Sequence, residues 1–490
     1  MYLQHLYPTP VSVSEKEDIR YNFGAEEVLY TTVSLPSGTV ERVKALWNRF
    51  CCTASVLTVR EVPDSGAPCA FWLGAQPKDF PALAAVDTYA LSADETHIAV
   101  TARNEKGLLE GFMTLLQLIC PQNLEVGQEA FTVSGTEIHD APAIGFRGVH
   151  LCIFPESRLI TLKKAIHLAG FLKMTHVVLE FWGVYPYEAM PELCWRQKSF
   201  TRAEIRELVD LIHSYGMEVI PMINHFGHAS SSRVGMGRHT VLNANPRRAK
   251  LYEPDGWTWC LSNPDTFKLL QDMREELYAL CGEGSYFHLG FDEAYSFATC
   301  EQCRKRVPYE LLAEYINRLT EDVAAHGRRP ILWHDEFLNG NDFWGKIHSP
   351  VVANGQNHNT YPALDLLDRR VILADWQYDY RNGENVTTRY FMDKGFDVLL
   401  SPWDNPENIR SLAANTKSLG AMGILLTTWD HLPAYLHRFP AAAEMVWRSA
   451  SKDETLCGDI LTEAAALLRT LCDTDGDFSS SGWNDFEVLQ

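Results

Sequence analysis

Tyr286-Phe287-His288-Leu289-Gly290-Phe291-Asp292-Glu293 is the stretch on which the reading of this 490-residue chain turns. Its first four residues form an apolar run of strand length, and two adjacent carboxylates follow directly. An unpaired buried carboxylate costs several kcal/mol, so two of them at a strand end ask for a reason. Taken alone, an Asp-Glu dipeptide is a solvent-facing loop pair. Its flanks decide otherwise, because helical spacing fills 264–280 on one side and 309–326 on the other.

Working outward, the same strand-then-helix unit recurs eight times from Gly145 onward. Strands are expected at 146–153, 176–181, 218–223, 286–289, 330–333, 371–374, 397–400 and 422–427. Helices are clearest at 202–215, 264–280, 309–326 and 387–393, and Gly216, Gly327, Gly395 and Gly420 fall where helices should end. Eight such units predict an α/β fold, a (β/α)₈ TIM barrel with buried parallel strands. Before it, alternating runs at 88–92 and 97–102 and a helical stretch at 107–118 predict a small α+β domain. The expected organisation is 1–140 for that domain, 141–452 for the barrel, and 453–490 for a C-terminal helix (461–471) and polar tail.

The 63 acidic against 43 basic residues leave a net charge of −20, which argues against nucleic acid and anionic membrane as partners. The first eight residues carry neither a basic region nor an apolar core, so no signal peptide is expected. No apolar run approaches the roughly 20 residues of a membrane helix, and the chain reads as cytoplasmic. Its twelve cysteines then read as thiols. Cys300-x-x-Cys303 stands out among them, with Cys260 in the preceding loop region. Cys260, Cys300 and Cys303 form a candidate structural zinc set; the alternative is unliganded thiols at a helix start.

In a barrel of this type, functional groups sit just past the strands on one rim. Reading that rim in order gives Arg147 within the first strand, then Glu180 and Trp182, Asn224 to His228, and Asp292-Glu293. Trp333 with Asp335 and Glu336, Asp375 and Trp376, Trp403 and Asp404, and Trp429 and Asp430 complete it. Carboxylates alternating with tryptophans around one rim suit a small, polar, ring-shaped ligand, which is a sugar.

The chain resembles glycoside hydrolase family 20, the exo-acting β-N-acetylhexosaminidases, and is more similar to the intracellular branch. The resemblance rests on His288-x-Gly290-x-Asp292-Glu293, Phe146-Arg147-Gly148, Phe226-Gly227-His228, and the tryptophans Trp333, Trp376 and Trp429, and runs from about residue 85 to 450. It implies release of terminal GlcNAc or GalNAc from a glycan with no cofactor required. Neighbouring side chains on extended backbone point to opposite faces, which makes Asp292 and Glu293 a poor nucleophile–acid pair. Substrate-assisted catalysis, known for this family, fits adjacency better. The resemblance then implies Glu293 as general acid and base, Asp292 as acceptor of the acetamide N–H, and Arg147 as clamp on the outer hydroxyls. It also implies His228 as tuning group and the three tryptophans as walls of the sugar site.

Two positions depart from the family pattern. Asp404 stands where a tyrosine binds the acetamide carbonyl, so either Tyr378 or Tyr380 supplies that bond or the 2-substituent differs, as in a glucosaminidase. Gly183 stands where an acidic partner of the histidine belongs, leaving Glu180 as a substitute. A related exo-glycosidase with altered 2-substituent preference and a non-catalytic carbohydrate-binding protein are the competing readings. Linkage, aglycone and oligomeric state are not encoded in any motif.

Overall fold

Eight parallel strands close on themselves in the order β10-β11-β12-β13-β14-β15-β8-β9. They are β8 (Phe146–Ile153), β9 (His176–Phe181), β10 (Glu218–Met222), β11 (Tyr286–His288), β12 (Arg329–Trp333), β13 (Ile372–Asp375), β14 (Asp397–Leu400) and β15 (Gly423–Leu426). Each lies within one residue of its expected bounds. This computed structural model describes residues 6–51, 55–62, 71–74, 88–122, 132–194, 199–230, 241–242, 244–345, 351–429, 432, 436 and 438–448. Asp430, the helix expected at 461–471 and the tail lie outside the described residues.

The strands form because their residues are buried on both faces. All eight residues of β8 are buried, as a parallel strand covered by helices requires. Phe146, Val178, Ile220, Met222, Ile331, Trp333, Ile372, Ala374, Leu399 and Leu425 fill the barrel interior as a second core cluster. The outer helices start where capping chemistry tells them to. Thr201 caps the helix Arg202–Ser214 in a capping box with Glu204, worth about 1 kcal/mol. Ile205, Leu208, Val209 and Ile212 of that helix are buried, at the spacing of one helical face.

Ahead of the barrel lies a seven-stranded sheet in the order β1-β7-β5-β6-β4-β2-β3. It comprises β1 (Ser12–Asn22), β2 (Glu26–Thr31), β3 (Val56–Glu61), β4 (Phe71–Gly74), β5 (Tyr89–Ala93), β6 (Ile98–Ala102) and β7 (Thr132–Asp140), with the helix Glu105–Gln122 packed on β5, β6 and β7.

A buried charge cluster joins this sheet domain to the lower end of the barrel, and it contains Arg147. The expectation that Arg147 clamps substrate hydroxyls is corrected here. Arg147 is the second residue of β8, so it sits at the N-terminal mouth of the barrel, opposite the rim. Its guanidinium donates to Glu110 Oε1 at 2.5 Å and to the carbonyls of Lys173, Ile144 and Gly145 at 2.9, 2.9 and 3.1 Å. It also stacks over Trp447 at 4.9 Å. Lys173 beside it donates to Tyr89 Oη at 2.9 Å and pairs with Asp140 at 3.4 Å. Replacing Arg147 by Met should therefore destabilise the fold by about 3–5 kcal/mol, because Glu110 keeps a buried charge with no partner. Urea unfolding reads that loss, while kcat/KM of the folded fraction should stay at the wild-type value; a kinetic defect at unchanged stability would contradict this placement.

Candidate active site

Backbone strain brings the two carboxylates together. After β11 the chain turns through Gly290 (φ 74°), Phe291 (φ 82°) and Glu293 (φ 49°). A non-glycine residue in the left-handed region is uncommon, and such strain concentrates at functional sites. The expectation that adjacent Asp292 and Glu293 face opposite ways fails here for that reason. Both converge on one imidazole: His228 Nε2 lies 3.2 Å from Asp292 Oδ2 and 3.3 Å from Glu293 Oε2. His228, itself at φ 54°, is delivered by the loop after β10. That loop approaches so closely that a Cβ on Gly227 would lie 2.0 Å from the Asp292 carbonyl oxygen, and one on Gly290 would lie 2.2 Å from Asn224 Oδ1. The two motif glycines are what permit the loops to touch.

Neighbouring strands hold the carboxylate segment in place. Asp335 Oδ2, after β12, accepts the Glu293 N–H at 3.0 Å and the Asn354 side chain at 2.7 Å. Glu336 accepts the Ala294 N–H at 2.9 Å. From the other side, Trp257 donates its indole N–H to the Glu293 carbonyl at 2.6 Å and packs 4.6 Å from the His228 ring. Trp257 and Asn354 were not singled out from sequence; the aromatic run Trp257-Thr258-Trp259 after a strand was the available signal for the first.

The electrostatics follow from this packing. Burial alone would lower the His228 pKa, but the Asp292 and Glu293 charges outweigh it and push it up to about 10. Burial raises Asp292 above the usual carboxylate range. Burial also pushes Glu293 upward, yet its bonds to His228 and Tyr295 prevail and hold it below its ordinary value. Asp335 is pushed up to about 6 by burial and then by the Asp292 charge. His228 is thus held as an imidazolium by the two acidic groups that meet its Nε2.

Glu180 does not partner His228. Inside the barrel its two oxygens meet His150 Nε2 at 2.8 Å and Asn224 Nδ2 at 2.6 Å, and His228 Nδ1 is buried without a partner. Asp375 likewise turns away from the rim, accepting Thr387 and Thr388 hydroxyls at 2.7 Å each.

The aromatic residues divide into floor and wall. Trp333 is 0% exposed, packed 4.4 Å from His288 and 5.5 Å from Trp429. That packing places Trp333 in the core cluster inside the barrel, directly against the part-exposed Trp429. Trp376, Tyr378, Trp403 and Trp429 are part-exposed. Tyr378 sits between Trp376 and Trp403, with ring centroids at 5.2 and 5.5 Å. Trp429 Nε1 donates to Tyr378 Oη at 2.5 Å. An indole N–H only donates, so the phenol accepts there and keeps its own proton to give. Thr427 Oγ1, 3.4 Å from Tyr378, already donates to the Pro402 carbonyl at 2.9 Å. Tyr380, the other candidate, bonds instead to the Glu384 carbonyl. Asp404 is paired with Arg438 at 3.3 Å.

A barrel whose strand-end rim carries convergent carboxylates ringed by aromatic faces is the architecture of the glycosidase barrels. The comparisons narrow the class to a family. The model for the glycosyl hydrolase family 20 catalytic domain matches residues 183–450, and that for domain 2 of the family matches residues 4–141. This chain belongs to glycosyl hydrolase family 20. A β-hexosaminidase of Porphyromonas gingivalis is 24% identical over 395 residues, covering 72% of this chain and 49% of that protein. The chain thus spans about half the length of that curated relative. The crystal structure of Flavobacterium johnsoniae chitobiase superposes with a TM-score of 0.70 at 18% identity, covering 97% of this chain and 74% of that one. An exo β-N-acetylglucosaminidase of Vibrio harveyi, solved in complex with N-acetylglucosamine, gives 0.69 at 17% identity, covering 97% and 78%. No helix among the described residues is long and apolar enough to cross a membrane.

Proposed function

We propose that this chain is an exo-acting, retaining β-N-acetylhexosaminidase that releases terminal GlcNAc or GalNAc from a glycan by substrate-assisted catalysis. One observation carries the reading: Asp292 and Glu293 both reach His228 Nε2, at 3.2 and 3.3 Å. A double-displacement site with an enzyme nucleophile needs two carboxyls about 5 Å apart flanking the scissile bond. Here both carboxylates come from one turn and are tied to one imidazole, an arrangement that supports attack by a group of the substrate itself, as known for this family. Its 2-acetamido oxygen bonds to the anomeric carbon as the glycosidic bond breaks, and Glu293 gives a proton to the leaving oxygen. Glu293 then takes a proton from the water that opens the cyclic intermediate, and the configuration is retained.

Asp292 accepts the acetamide N–H and offsets the positive charge that builds on the ring of the intermediate. Tyr378, from the loop after β13, takes the part of the missing tyrosine and donates to the acetamide oxygen. His228, charged at neutral pH and 3.3 Å from Glu293 Oε2, orients the acid and tunes its pKa. Trp376, Trp403 and Trp429 hold the ring. For the outer hydroxyls the placement favours Arg158, exposed at the start of the helix Leu159–Phe171 on the rim side of β8. The glucosaminidase alternative loses its support, since Arg438 already neutralises Asp404. The chemistry needs no cofactor. The unbridged buried thiol of Cys281 supports a reducing, cytoplasmic setting.

A panel of aryl β-glycosides carrying GlcNAc, GalNAc, GlcN or Glc tests the proposal. The two acetamido sugars should be cleaved, with GlcN and Glc slower by 10²-fold or more, because neither carries the attacking group. Equal turnover of Glc would sink the substrate-assisted reading, and no turnover of any member would sink the enzyme.

A further inference from the structure

The loops that follow β10 and β11 meet a second time, away from the carboxylates, and three thiols stand at that junction. Cys260 comes from the first loop, and Cys300 and Cys303 from the second. Cys260 Sγ lies 3.5 Å from Cys300 Sγ and 3.6 Å from Cys303 Sγ. All three sulfurs lie within 4.8 Å of one another. A disulfide needs about 2.05 Å, so none of these is a bonded pair. A tetrahedral zinc ion with Zn–S bonds of about 2.3 Å spaces its sulfurs about 3.8 Å apart, within a few tenths of an ångström of the contacts seen.

Two further features separate a metal site from packed thiols. The Cys303 N–H points at Cys300 Sγ, 3.3 Å away, the kind of outer bond that orients a thiolate ligand. Glu253 is 1% exposed, and its Oε2 accepts the N–H groups of Thr299 at 3.0 Å and Cys300 at 2.6 Å. Its other oxygen, Oε1, is buried without any partner. A buried carboxylate in that state is costly, and a cation held on the neighbouring thiols offsets its charge.

The geometry points to a structural zinc ion held by Cys260, Cys300 and Cys303, with Glu253 bracing the Cys300 backbone from outside the ligand set. Its task is to pin two loops rather than to touch substrate. The Cys260 loop carries Trp257, which bonds the Glu293 carbonyl at 2.6 Å, and Trp259, which bonds the Asn224 carbonyl at 2.9 Å. The Cys300 loop begins at Glu293 itself. The ion ties together the segments that fix the general acid and the histidine loop.

Metal analysis of the full chain, purified without chelator, should find about one zinc per molecule. Stepwise titration with an organomercurial in the presence of a zinc-sensitive dye should release that ion as three thiols are blocked. Cys300→Ser/Cys303→Ser should contain none. Should that double variant fail to fold, Glu253→Gln serves instead, with zinc affinity lowered 10- to 100-fold by dye competition. Chelation should lower the Tm of the wild type and leave the metal-free variant unmoved. Protein that neither contains zinc nor takes it up from a zinc titration would overturn the proposal. So would a disulfide among the three cysteines in peptide maps of unreduced protein, or Glu253→Gln binding zinc as tightly as the wild type.

Discussion

Glu293→Gln should lower kcat/KM by roughly 10²–10⁴ on substrates with poor leaving groups, the range for loss of a general acid. The same variant should stay within about tenfold of wild type on a dinitrophenyl glycoside, whose leaving group departs without a proton. The physical basis is the position of Oε2, 3.3 Å from an imidazolium and 30% exposed at the rim. Gln preserves the shape and hydrogen-bonding reach but cannot carry the proton. In the wild type the His228 and Tyr295 bonds keep Glu293 below its ordinary pKa despite burial, so the protonated acid is scarce in the free enzyme. kcat/KM should accordingly fall as pH rises through that pKa, and this limb should be absent from the variant on the activated substrate. A loss of equal size on every leaving group would remove Glu293 from the acid role.

Asp292→Asn should be indifferent to the leaving group and still lose about 10²–10³ in kcat, the scale of one misplaced electrostatic group facing a developing charge. Asp292 is 6% exposed and meets His228 at 3.2 Å, with Oδ1 buried and without a protein partner. That unpartnered oxygen is what the acetamide N–H satisfies, and burial makes the lost charge expensive to replace. A neutral amide neither offsets the positive cyclic intermediate nor holds the imidazolium. Thermal melts should show a folded protein, which separates this loss from unfolding. Activity within a few-fold of wild type on the activated GlcNAc glycoside would refute the orienting role.

The barrel was legible because its signals are local. Strand length, two-faced burial and the caps of the intervening helices are written in windows of five to eighteen residues, and parallel strands under helices read as continuous apolar runs. The Asp292-Glu293 pair was legible for the same reason, since it follows directly on one such run. Arg147 was misplaced because the family motif was followed over the expected strand bounds, 146–153, which already set it at the N-terminal end of its strand. Its guanidinium is claimed by Glu110, 37 residues earlier in the chain. Trp333 shares a strand-end position with part-exposed tryptophans, and only its packing against His288 and Trp429, which buries it fully, sets it apart from them.

By itself, then, the sequence determined the alternation, the closure into a barrel, and the address of the carboxylates at one strand end. Tertiary structure alone decided what those carboxylates do together. The left-handed turns at Phe291 and Glu293 swing both toward His228, and the Glu293 main chain is held by Trp257, 36 residues before it, and Asp335, 42 residues after it. A side chain's direction at the end of a strand is set by such distant contacts, whose free energy appears only when the chain has closed. The same holds for Tyr378, whose spare proton follows from an indole 51 residues away.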